Sequence, residues 1–171
     1  MFEIKTEQEI LKTFKPRITL IKTREKIPDL DPVYLDFLSR FEGTEITPDI
    51  GLYGYQESIT ENKYLLEHYP RTAEALWVIG ATGQGDGWFL HRKGGMVLFF
   101  DHDQGEQERP EQFVSLEIGF AEFLKMAGLY AELEQLLDQR DLEKAEVLAF
   151  KQAVDSISSG LYARYPFDYF K

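Results

Sequence analysis

The chain has 171 residues, 43% hydrophobic and 14% aromatic, enough apolar material for one packed domain and too much for a disordered one. A formal net charge of −11 repels nucleic-acid phosphates and disfavours direct DNA or RNA binding. The absence of cysteine excludes disulfides, thiolate zinc sites and cysteine nucleophiles together, and fits a reducing compartment. The N-terminal stretch MFEIKTEQEILKTF has an early Glu and no apolar h-region, and no run approaches bilayer-spanning length. The expectation is a cytoplasmic protein with no membrane partner.

In chain order, Thr6-Glu7-Gln8-Glu9 has the spacing of a capping box, with Ile10, Leu11 and Phe14 as the apolar face of a helix that runs up to Pro16. Arg17–Ile21 fits a short strand or a linker. The basic concentration Lys12–Lys26 is interleaved with Glu25 and apolar residues, as in a solvated mixed-charge segment. Asp31-Pro32 opens a second helix with an Asp cap and Pro at the first helical position, where its missing N–H costs nothing. Tyr34, Leu35, Phe37, Leu38 and Phe41 form its buried face and Gly43 its C′ residue. Ile50–Tyr55 reads as a strand, and Thr60 as the cap of a short helix through Tyr69.

The stretch from Ala75 to Glu106 then carries three apolar runs, Ala75–Ile79, Trp88–His91 and Met96–Phe100, separated by a Gly-rich turn and a Gly-Gly hairpin and closed by an acidic turn. Bounded runs of this kind are the mark of a buried meander. Phe113–Leu116 reads as a further short strand. A helix starts over Gly119–Met126 and continues or restarts over Tyr130–Leu137 after Gly128. Leu142–Ile157 is a longer helix with Leu142, Ala145, Ala149, Ala153 and Ile157 on one broad face, ended by Gly160. The aromatic tail LYARYPFDYFK is expected to pack back onto the body.

Residues that invite a chemical reading are few. Gly83-Gln84-Gly85-Asp86-Gly87 is followed by a strand and has no Lys-Ser/Thr pair, so a tight β connection braced by Asp86 fits better than a phosphate loop. Asp101-His102-Asp103 offers metal-ligand types, but an extended strand would put His102 opposite the two acids, so a polar turn is expected and no metal. His68 sits near a helix end and His91 at a strand end, without a nucleophile at motif spacing; no serine lies in a G-x-S-x-G elbow. Neither a catalytic residue nor a cofactor is called for.

Taken together, PVYLDFLSRFEG at Pro32–Gly43, GLYGY at Gly51–Tyr55, ALWVIGATGQGDGWFL at Ala75–Leu90, GMVLFFDHDQGE at Gly95–Glu106 and GFAEFL at Gly119–Leu124 resemble the SUKH superfamily. That superfamily includes bacterial immunity proteins of polymorphic toxin systems and a fungal regulator of cell-wall synthesis. The resemblance covers roughly Asp31–Leu137. It departs at the single glycine after Phe41 and beyond Leu137, where residues 138–171 form a C-terminal helical extension. It implies a single α+β domain over residues 1–171, with a curved, mainly antiparallel sheet flanked by helices.

The resemblance further implies a protein-binding module without catalysis or cofactor, foremost an immunity protein that neutralises a cognate protein toxin. A regulatory scaffold of the same fold is one alternative, and a small enzyme using acidic turn residues another. The acidic charge suits a partner with a basic surface, such as a nuclease cleft. The expected partner-binding residues are Asp86, Asp101, Asp103 and Glu106 at the turn ends, with Tyr53, Tyr55 and Trp88 as aromatic anchors.

Overall fold

Strands that must bury both faces are apolar at every position, and the central strands of this chain are so composed. The computed structural model describes residues 2–23 and 25–171. Its strands are β1 (Thr44–Thr47), β2 (Ile50–Leu52), β3 (Leu76–Ala81), β4 (Gly87–His91), β5 (Val97–Phe100) and β6 (Val114–Ser115). They pair antiparallel in chain order to give an open six-stranded sheet. Among the described residues the helices are α1 (Glu7–Leu11), α2 (Pro32–Arg40), α3 (Tyr55–His68), α4 (Pro70–Ala75), α5 (Phe120–Leu137), α6 (Lys144–Ile157) and α7 (Leu161–Arg164). The fold is α+β, as expected.

Side chains alternate across the strands. Trp77, Ile79, Trp88, Leu90, Val97 and Phe99 face a large core shared with α1, α2, α5, α6 and α7. Leu76, Val78, Phe89, Leu98 and Phe100 face a smaller core closed by Leu65 of α3, Ala73 of α4 and Phe113. Polar side chains fix the layers where apolar contact alone would let them slide. Asn62 on α3 donates from Nδ2 to the Val78 carbonyl at 2.9 Å, and its Oδ1 accepts from the Val78 N–H at 2.9 Å. On the other face Trp77 Nε1 donates to the Tyr34 hydroxyl at 3.0 Å.

Local signals hold at the first two helices. Thr6 and Glu9 form the reciprocal capping box. Asp31 Oδ1 accepts from the N–H groups of Val33 and Tyr34, with Pro32 at the first helical position. The first helix nevertheless stops at Leu11, well short of Pro16, and Arg17–Ile21 is not a strand. It runs along the end of α2, with Arg17 N–H donating to the Arg40 carbonyl and Ile21 N–H to that of Ser39.

Other expectations are corrected. Gly43 is not a C′ residue: Phe41 caps α2 in extended conformation, and Gly43 is glycine because a Cβ there would lie 2.7 Å from the Gly54 nitrogen. The strand read over Ile50–Tyr55 ends at Leu52, and Thr60 lies inside α3, which starts at Tyr55 behind Gly54. Of the two readings after Gly128, continuation holds: one unbroken α5 runs through this glycine, which packs against Ile10. In α6 the buried residues are Phe150 and Val154, whereas Ala145 and Ala149 are exposed.

The C-terminal segment packs back onto the body. Leu161 and Tyr165 are buried, and the Tyr165 ring stacks on Tyr130 at 4.0 Å. The Tyr169 hydroxyl lies within hydrogen-bond distance of both Asp49 and Glu134, joining the tail to the β1–β2 turn and α5. The sheet edges are slight: β1 has a bulge between Glu45 and Thr47 and is followed by Pro48, and β6 is two residues long.

Gly80 marks the closest approach inside the sheet, since a Cβ there would meet the Gly51 carbonyl oxygen at 1.9 Å. Gly80→Ala is therefore expected to force β2 and β3 apart and to lower unfolding free energy by about 1–3 kcal/mol, the usual scale of overpacking. Urea unfolding checks this; a midpoint equal to that of the parent contradicts the close approach.

Candidate functional site: the acidic turn end

The β3–β4 connection is built around Thr82. Its N–H donates to the Asp86 carbonyl, and its Oγ1 accepts from the N–H groups of Gln84 and Asp86. Gly85 takes φ +95°, a left-handed conformation that favours glycine. Gly87 is required for a different reason: a Cβ there would strike the Phe89 ring at 2.6 Å.

This turn places the Asp86 carboxylate beneath the next loop. Antiparallel β4 and β5 pair Gly87 with Phe100, so the residues just beyond, Asp86 and Asp101, are neighbours. After Asp101 the chain does not stay extended. It winds into a 3₁₀ turn over His102–Gln104, with Asp101 Oδ1 accepting from the Asp103 N–H at 2.9 Å. His102 is thereby carried back onto Asp86 rather than away from the acids, which corrects the extended-strand expectation.

Asp86 is only 3% exposed, and both its oxygens are engaged. Oδ2 accepts from Thr82 Oγ1 at 2.9 Å; Oδ1 accepts from the His102 backbone N–H at 3.0 Å and lies 2.6 Å from His102 Nδ1. Burial alone raises the carboxyl pKa, but the hydrogen bonds from His102 and Thr82 outweigh it and hold Asp86 below its ordinary value. The exposed His102 imidazole is pushed up, first by its hydrogen bond to Asp86 and then by the charges of Asp103, Asp86 and Asp101.

Farther along, the loop is pinned to the helical layer. Tyr69 donates from its hydroxyl to Glu106, Thr72 Oγ1 donates to the Gln107 carbonyl at 2.6 Å, and Arg71 pairs with Glu111 at 3.2 Å. Asp103, Glu106, Glu108 and Glu111 remain exposed, with Asp101 half-buried beside them. The result is an ordered acidic rim held from below by one buried carboxylate.

Of the residues expected to meet a partner, Asp101, Asp103 and Glu106 are on this rim. Asp86 is beneath it and consumed by internal hydrogen bonds. Trp88 is fully buried among Phe99, Phe123 and Tyr165, and Tyr55 is buried at the start of α3, so neither is an exposed anchor. Both are core because their strand and helix faces point inward. Tyr53 is half-buried beside the smaller core. Thr82, Tyr69 and Thr72 carry no sequence signal of their own, and His102 reads in sequence as pointing away from the acids, although the hairpin register around Lys93-Gly94 already pairs Asp86 with Asp101.

Donor atoms of Asp86, Asp101 and His102 lie within 4.8 Å of one another. Hydrogen bonds already satisfy this cluster, and a metal ion would have to displace them. No family model, curated protein or solved structure matches the chain. Among the described residues no helix is long and apolar enough to cross a membrane.

The Asp86–His102 bracket makes loop anchoring pH-dependent. With a raised folded pKa, His102 contributes fully below roughly pH 6.5 and loses its contribution as pH rises through the raised value. With a lowered one, Asp86 contributes fully above roughly pH 4 and loses its contribution as pH falls through the lowered value. Amide exchange at Asp101–Gly105, corrected for its intrinsic pH dependence, should be slowest between these limits, and His102→Gln should flatten the alkaline side. An alkaline rise identical in the variant contradicts the bracket.

Proposed function

We propose that the protein is a non-catalytic binding module that neutralises a cytoplasmic protein toxin by covering a basic cleft with its acidic rim. The observation that carries this reading is the ordered display of Asp101, Asp103, Glu106, Glu108 and Glu111 on a loop pinned at Asp86, Tyr69, Arg71 and Thr72. A pre-ordered loop loses little conformational entropy on association, and its excess of negative over positive charge steers an oppositely charged partner. The SUKH-like order of motifs supports the same reading. In this proposal Asp101, Asp103 and Glu106 touch the partner, Asp86 positions them, and Trp88 and Tyr55 hold the scaffold.

The proximity of Asp86, Asp101 and His102 favours a second reading, a small metal-dependent site. Zinc titration followed by calorimetry separates the two: saturable binding lost in Asp101→Asn would favour the metal site over a purely structural bracket.

Co-expression with the product of the adjacent gene tests the leading reading. The expected outcome is that this product kills alone and is silenced by the protein in a stoichiometric complex. The association rate should fall with salt, and the Asp101→Lys/Asp103→Lys double variant should slow association at low salt by about tenfold or more. A harmless neighbour, or killing undiminished by the protein, rejects toxin neutralisation and leaves a regulatory scaffold with an endogenous basic partner.

A further inference from the structure

Strands β3 and β4 have two ends. The acidic rim occupies one; at the other, where Trp77 pairs with Leu90 and Arg92 follows β4, lies a hollow of about 520 Å³. Among the described residues three cations line it, Lys26 from the segment before α2, Lys63 from α3, and Arg92, and Glu25 is the one acid. On a chain of net charge −11, this local reversal of sign is the opposite of what composition would distribute.

Arg92 is the informative member. Its guanidinium sits 5.6 Å over the ring of Trp77, which is itself 4% exposed. Its Nε is buried without a hydrogen-bond partner, and none of the ion pairs among the described residues includes it. Burial pushes its pKa down, as expected of a cation taken from water without a counter-charge. Arg92 is half-buried, so the rest of its guanidinium can be reached from solvent and would gain from an anion seated in the hollow. Lys63 is held only loosely, 4.0 Å from Glu67 with both side chains exposed.

We infer that this hollow binds a phosphate monoester, with Arg92, Lys26 and Lys63 around the phosphate and the organic part against Ile59 and Leu66. Charge decides for phosphate over carboxylate: a dianion matches three cations better than a monoanion, and the planar guanidinium suits two phosphate oxygens at once. Leu66 is 59% exposed and gives an apolar substituent a surface to cover. A nucleic-acid strand is disfavoured by the acidic remainder of the chain, whereas a single monoester is shielded from the rim. Five residues of β4 span roughly 16 Å, beyond a Debye length of about 8 Å at physiological salt. The monoester has two sources, a free small organophosphate or a phosphorylated side chain of another protein.

Calorimetry at low salt with phenyl phosphate, and with a hexapeptide carrying phosphotyrosine, tests this, with phenol as the uncharged control. Saturable binding of phenyl phosphate in the millimolar range or tighter, accompanied by a shift of the Trp77 indole resonance and absent with phenol, is the expected result. Arg92→Gln should weaken binding about tenfold, the scale of a lost charged hydrogen bond. Since Arg92 packs on Trp77 and its loss could disturb folding, Lys63→Gln at an exposed position provides a second variant, expected to fold normally and bind several-fold more weakly. Tighter binding of the peptide supports a phosphorylated partner; tighter binding of phenyl phosphate supports a metabolite. No saturable binding by the parent, or affinity unchanged in both variants, overturns the assignment.

Discussion

The indole of Trp88 is where four parts of the molecule are joined. It packs against Phe99 of β5 at 4.9 Å and Phe123 of α5 at 5.1 Å, lies parallel to Tyr165 of the tail, and donates from Nε1 to the Asp49 carbonyl at 2.8 Å. A ring of this size buries much apolar surface, but its N–H needs a partner once water is gone. The β1–β2 turn supplies that partner, and the tail then clasps the same turn through Tyr169 and Asp49. The C-terminal segment is therefore part of the large core. Its ordering is coupled to that of the sheet, so the frame presenting the acidic rim is completed only when the last residues are in place.

The rim and the hollow lie at opposite ends of the sheet for one topological reason. A meander of short antiparallel strands puts every other connection at the same end of the sheet. The β3–β4 turn and the start of the β5–β6 loop lie at one end; the β4–β5 hairpin and Arg92 lie at the other. Acids on the first set and Arg92 on the second separate charge along the strands, and Lys26 and Lys63 add to the cationic end from outside the meander. The buried Asp86 is the place where this separation is structural as well as electrical, since its carboxylate anchors the loop that carries the rest.

How much of this was legible depended on range. The strands of the meander, the Asp31-Pro32 start and the Thr6–Glu9 box are written in adjacent residues and could be read directly. The start of α3 could not, because Gly54 offers no side-chain cap and Tyr55 resembles a strand residue. Gly43 and Gly54 are constrained by each other across a fold-dependent approach that spacing does not reveal. The Asp86–His102 bracket was half-visible. Hairpin register juxtaposes Asp86 and Asp101, but the 3₁₀ turn that swings His102 inward is set by the local contest between extended and wound backbone. Trp88 and Tyr55 read as anchors yet lie in the core for a related reason: aromatic identity says that a side chain will bury area, not whether a partner or the core will cover it.

The bulge in β1, the Pro48 that follows it and the two-residue β6 leave the sheet without a usable margin. A long flat edge would template an incoming strand, whether from another copy or from a binding partner. Neither border here offers the run of evenly spaced N–H and C=O groups that such addition requires. Strand addition at either border is thus disfavoured, and the same irregular borders guard an apolar sheet against growth into fibrils.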